Sequence, residues 1–241
     1  MSRVLPIGAF YAASLWLSNS AYLHLSVSFI QMTKALMPGL VYFVGIVFRT
    51  EKYHEMTTLN MFIIAVGVAI AAYGEINFIW IGVIEQFLAL IFEATRLCLV
   101  QILMKNKGYS MNPIQSLYYV SPACAFFLLV PFLTVELPEI MENVNLVIDW
   151  RILILNASCA LLLNLGVFLL IGKTSALTMN IAGVIKDWML IFASQRIFHN
   201  PVTFLNYLGY VIAFLAVGMY NMIKLKQARK AEKERNAQAS G

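Results

Sequence analysis

The chain is built from long apolar runs separated by short polar links, and the runs recur at a nearly constant length. Eight of them approach the ~20 residues that a helix needs to cross ~30 Å of hydrocarbon. They fall at 4–24, 27–48, 57–74, 76–104, 113–136, 148–171, 175–198 and 203–224. In lipid a single run of this kind can satisfy its backbone hydrogen bonds internally only as a helix. The pattern therefore predicts an all-α, polytopic membrane protein of about eight transmembrane helices. The links are brief, so the spans form one unit with no linker.

Composition supports the same class. Of 241 residues, 61% are hydrophobic and 12% are charged, with a mean hydropathy of +0.77. A soluble domain carries about 25% charged residues. The net charge of +5 does not indicate a nucleic-acid partner, because six of the seventeen Lys/Arg lie together in the tail "KLKQARKAEKER". Placing the N-terminus in the cytosol puts twelve of the seventeen on that side, the tail included. The other side keeps Arg151 and Arg196, among Glu136, Glu139, Glu142 and Asp149. The positive-inside rule thus predicts that both termini are cytosolic. Cys98, Cys124 and Cys159 each lie in an apolar run and are expected to be buried thiols, not a metal site or a disulfide framework. Nucleophile-elbow, P-loop and HExxH motifs are absent, which predicts no enzyme activity, no catalytic residue, no metal and no cofactor.

Three cations have no place in any link: Lys34, Arg96 and Lys186. At 1.5 Å per residue they lie roughly 21, 12 and 16 Å from the cytosolic ends of their spans. Each costs about 2.5–3.5 kcal/mol at a span centre, so the three are expected to converge on a shared site near the midplane. In "GVIKDWMLIF" Lys186 is followed by Asp187. Adjacent helical residues point about 100° apart, so this pair is poorly placed to neutralise itself. Arg96 has Glu93 one turn earlier, a spacing that allows a pair on one face and competes with a site role. Pro38 follows Lys34 by four residues and clashes with its carbonyl, which predicts a kink beside that lysine. Glu85 is a weaker candidate, for proton coupling.

A repeat gives these positions an order. "TTLNMFIIAVGVAIAAYG" (57–74) matches "TFLNYLGYVIAFLAVGMY" (203–220), with Thr57/Thr203, Leu59/Leu205 and Asn60/Asn206 in register. A span with a central lysine, Lys34 or Lys186, precedes each copy. The shift is five spans, an odd number, so the copies cross the membrane in opposite directions, as in the inverted repeats of secondary transporters. On this basis 1–74 holds the last three helices of a first repeat, 75–224 is a five-helix second repeat, and 225–241 is a basic cytosolic tail. The Gly/Ala-rich run 65–74 is expected to serve close helix packing.

Three stretches carry a resemblance: "SVSFIQMTKALMP" (26–38), "FEATRLCLVQILMK" (92–105) and "SALTMNIAGVIKDW" (175–188). They resemble the triose-phosphate translocator branch of the drug/metabolite transporter superfamily, and most closely the plant sugar phosphate/phosphate translocators with a Lys-Asp pair. The resemblance implies a ten-helix inverted-repeat carrier, of which this chain would be an N-terminally shortened, 3+5 version. It implies antiport of phosphorylated organic anions: a sugar phosphate or nucleotide sugar against phosphate or a nucleotide. Lys34, Arg96 and Lys186 then match substrate-contacting cations, while Asp187 stands where triose-phosphate exchangers carry an arginine; it is expected as a fourth site residue, either a substrate contact or the partner of another intramembrane cation. The expected partners are a small phosphorylated substrate, the lipid bilayer and, as an option, a second copy in a homodimer. Golgi or another endomembrane is expected before the plastid envelope. The competing expectation is a truncated isoform that does not transport and acts as a structural or regulatory membrane partner.

Overall fold

The computed structural model describes residues 4–74, 79–105, 113–142, 149–173, 186, 189–194, 196–197 and 203–239. These residues are helical apart from short links, and no strand occurs among them. The helices are α1 (Val4–His24), α2 (Val27–Thr33), α3 (Met37–Val47), α4 (Glu55–Tyr73), α5 (Trp80–Lys105), α6 (Pro113–Pro131), α7 (Leu137–Glu142), α8 (Trp150–Lys173) and α9 (Phe204–Ala239). A 3-10 turn, Lys34–Leu36, joins α2 to α3, and a π-turn, Phe132–Glu136, joins α6 to α7. Six of the eight predicted spans begin and end within a few residues of these helices. The eighth continues as helix through the basic tail, and most of the seventh lies outside the described residues.

Among the described residues, four segments are long and apolar enough to cross a bilayer: Val27–Val47, Glu55–Tyr73, Tyr118–Glu142 and Phe204–Gln227. Large apolar side chains point outward along α4, α6 and α8, among them Phe62, Val66, Phe126, Leu129, Leu155 and Leu162. Polar side chains are turned inward, including Gln31, Thr57, Asn60, Gln86 and Asn206. Lipid, not water, is the solvent that favours this distribution. Cys98 and Cys124 are buried as expected, but Cys159 is exposed, because it lies on α8 where residues 150–163 all face outward.

The break between α2 and α3 follows from Pro38. Proline has no N–H for the Lys34 carbonyl, which instead accepts from the backbone N–H of Met37, three residues on. Lys34 therefore sits at the point where the helical ladder changes. Upstream, Ser26 caps α2 by accepting from Phe29 N at 3.2 Å. Downstream, α3 ends in a Schellman turn with Arg49 at φ 57° in the left-handed position, where glycine is usual. The Gly45 carbonyl accepts from Thr50 N at 2.8 Å and from Glu51 N at 3.1 Å, and Arg49 N donates to the Ile46 carbonyl at 3.0 Å.

Among the described residues, the most extensive interface joins α4 to α9, the helices that carry the two copies of the repeat. They run antiparallel, and the matched asparagines make reciprocal bonds. Asn60 Nδ2 donates to the Ala216 carbonyl at 2.9 Å, and Asn206 Nδ2 donates to the Ala71 carbonyl at 2.6 Å. Between these bonds Gly67 faces Gly209 and Ala213. A Cβ on Gly67 would meet Ala213 N at 2.7 Å and the Gly209 carbonyl oxygen at 2.9 Å. The Gly/Ala-rich run thus serves close packing, in the small-xxx-small manner of Gly67/Ala71 against Gly209/Ala213. Asn206 also completes a capping box: Thr203 N donates to its Oδ1 at 2.8 Å, and Asn206 N donates to Thr203 Oγ1 at 3.3 Å. A second group packs α1 against α5 and α6. Gly209→Val should force α4 and α9 apart and cost about 2 kcal/mol or more. Asn206→Ala should cost about 1 kcal/mol; thermal unfolding of the purified protein in detergent checks both.

Candidate functional site

The helix break and α9 enclose a pocket of about 480 Å3. One wall comes from Gln31, then Lys34 and Ala35 of the turn, continued by Met37, Pro38 and Val41 of α3. The other is a single face of α9: Tyr210, Phe214 and Val217, then Tyr220, Asn221 and Lys224. That face extends from Tyr210 to Lys224, roughly 21 Å of helix rise. Tyr210 also belongs to a buried apolar cluster with Met32, Ala71 and Ile191. Tyr42 ties the far end together: its hydroxyl accepts from His54 N at 2.8 Å, which joins α3 to the start of α4.

Two cations line this pocket, Lys34 at the break and Lys224 toward the end where α3 stops, and no carboxylate is among its described lining residues. Lys224 Nζ lies 2.6 Å from Glu51 Oε2, the acid that follows the Schellman turn. Glu51 is aimed by its backbone. Its N–H is bonded to the Gly45 carbonyl, and a Cβ on Gly45 would meet its Cγ at 3.0 Å. Lys224 also stands over the Tyr220 ring, 6.0 Å from its centre.

The four residues expected to form a site are placed differently from one another. Lys34 is half-buried in the pocket wall. Arg96 lies on the other side of α5, in the interface with α1. Its Nε donates to Glu93 Oε2 at 2.9 Å, a second guanidinium nitrogen pairs with Glu93 Oε1, and its guanidinium carbon stands 4.3 Å from the centre of the Tyr11 ring. Ser14 of α1 donates to the same carboxylate at 3.2 Å. Glu93 one turn earlier neutralises Arg96 locally, so Arg96 is not gathered with Lys34 around this pocket. Lys186 is helical and exposed and is not among the lining residues, while Asp187 lies outside the described residues. Glu85 accepts from Ser20 Oγ at 2.9 Å and is also outside the pocket lining.

Lys224 and Glu51 were not singled out by the sequence. Lys224 belongs to the tail charges by position, and Glu51 is one acid among loop cations. The signal that could have found Lys224 is its spacing, which continues the Tyr210–Phe214–Val217–Tyr220/Asn221 face by another turn.

Residues 1–221 match the Triose-phosphate Transporter family. The chain belongs to that family. Three relatives from Arabidopsis thaliana, each named "probable sugar phosphate/phosphate translocator", are similar along almost the whole chain. The first is 56% identical over 97% of this chain and 66% of its own length. The others are 54% identical over 99% and 68%, and 53% identical over 98% and 67%. The chain thus spans about two-thirds of the length of these relatives. As a member of this family it is a polytopic membrane protein.

The ion pair within α5 has a measurable signature. Arg96→Gln should destabilise the protein by about 2 kcal/mol by leaving the Glu93 carboxylate unpaired. The double variant Glu93→Gln/Arg96→Gln should recover most of that loss, as read from the thermal midpoints of the single and double variants.

Proposed function

We propose that the chain forms the translocation pathway of a secondary carrier for phosphorylated organic anions. The observation that carries this reading is the pocket lined by two lysines and by no described carboxylate, walled by helices able to span a bilayer. A phosphate entering it loses water, and the ammonium groups replace that hydration with charge-assisted hydrogen bonds. Tyr220, Asn221 and Gln31 offer groups for a hydroxylated body, and 480 Å3 is in the range of small-molecule sites. Membership of the Triose-phosphate Transporter family and the names of the Arabidopsis relatives support a sugar phosphate as the substrate class.

Antiport against phosphate, with a nucleotide sugar as the alternative cargo, follows from the resemblance. The positive-inside bias of the links and tail supports both termini in the cytosol, and the compartment is the Golgi or another endomembrane. Lys186 enters as a substrate contact through the resemblance, Asp187 as a substrate contact or the partner of another intramembrane cation, and Arg96 acts as a contact only after release from Glu93. The reciprocal Asn60 and Asn206 bonds support an inverted repeat, divided into 1–74 and 75–224. Its halves would rock about the pocket to expose it to each side in turn.

Purified chain in liposomes should exchange labelled phosphate for external sugar phosphate. Lys34→Gln should lower exchange at limiting substrate by about ten-fold or more, the effect of losing one charged hydrogen bond. Wild-type exchange in Lys34→Gln would remove this pocket from the pathway. A silent wild-type chain would favour a structural or regulatory membrane partner instead.

A further inference from the structure

We propose that Lys224 is a second phosphate-binding residue of the pocket, and that Glu51 is its resident counter-ion, which the incoming anion must displace. This rests on the reading of the pocket as an anion site and adds to it a residue that sets affinity.

The geometry points to an exchange of partners and not to a fixed structural tie. Lys224 lines the pocket, whereas Glu51, its partner across 173 residues of sequence, does not. Both side chains are 30% exposed, so water and ions reach the pair, and parting it does not strand a charge in a dry interior. Arg96 and Glu93 differ in kind: they share one helix, are braced by Ser14 and Tyr11, and lie outside the pocket.

The two partners also differ in freedom. Glu51 is fixed by its backbone, through the bond to the Gly45 carbonyl and the space left by the missing Gly45 Cβ. Lys224 has a flexible four-carbon stem bearing a point charge that can turn from one acceptor to another. A phosphate near two negative charges, with three acceptor oxygens, is the stronger ligand for that ammonium than one carboxylate. Glu51 therefore keeps the empty pocket's outer cation compensated and raises the phosphate concentration needed to fill the site.

The test uses the full chain in detergent with inorganic phosphate as the probe, reading the phosphate concentration that gives half-maximal thermal stabilisation. Glu51→Gln should lower that concentration by about two- to five-fold, the range for an exposed pair, and Lys224→Gln should raise it. Shifts of the same sign in both variants, or none in either, overturn the proposal, because a merely structural tie gives no opposition of sign. The exchanged pair Glu51→Lys/Lys224→Glu re-forms the tie but puts an anion in the wall. It should keep the phosphate-free midpoint and respond weakly to phosphate, and a wild-type response overturns the proposal. Lys34→Gln separates the two levels. If wild type shows no phosphate-dependent shift, or Lys34→Gln shifts as wild type does, the anion-site reading fails and the proposal fails with it. If Lys34→Gln alone abolishes the shift while the Glu51 and Lys224 variants leave it unchanged, only the proposal fails.

Discussion

The seam between α4 and α9 is the contact on which the rest of the arrangement depends. In hydrocarbon, apolar side chains gain little by leaving lipid for a neighbouring helix, so helices are held by close backbone approach and by polar groups with nowhere else to go. Gly67 and Gly209 provide the approach, and Asn60 and Asn206 the polar bonds, one toward each end. With α9 fixed on α4, its Tyr210–Lys224 face is presented to the α2–α3 break, and the pocket is the space left between them.

Three cations in this apolar setting reach tolerable energies by three routes. Arg96 is neutralised on its own helix by Glu93, and its flat guanidinium lies against Tyr11. Lys34 sits where proline has already disturbed the ladder and opens onto a cavity that can hold water or an anion. Lys224 stands near the end of the apolar stretch of α9 and draws its partner from a loop folded back by a helix cap. The chemistry differs accordingly: the first is a closed pair, the second faces the cavity, and the third has one foot in each.

Local features were legible in the sequence, and long-range ones were not. Helix limits followed from apolar run length, the break followed from Pro38, and the matched Asn60 and Asn206 marked the helices that pack together. The Glu93–Arg96 pair could also be read, since i and i+3 share a helix face. In the structure Arg96 has that local partner, whereas the shared cost of three intramembrane cations carries no information about which of them meet. Lys224 was hidden because a charge after an apolar run reads as a flank, whereas α9 continues as helix and carries its face past the run. No local pattern ties Glu51 to a residue 173 positions away. Cys159 is exposed although it lies in an apolar run, because a membrane protein turns much of its apolar surface outward.

The separation of α4 from α9 along the chain also sets an order of assembly. During synthesis α4 enters the bilayer with Asn60 and the Gly67 face exposed, and their partners do not exist until α9 follows more than a hundred residues later. Until then Asn60 has no α9 carbonyl to bond, and the open flank of α4 is a surface on which a membrane chaperone or a stray helix could settle. Completion of the pocket and retirement of that surface are therefore one event, the docking of α9.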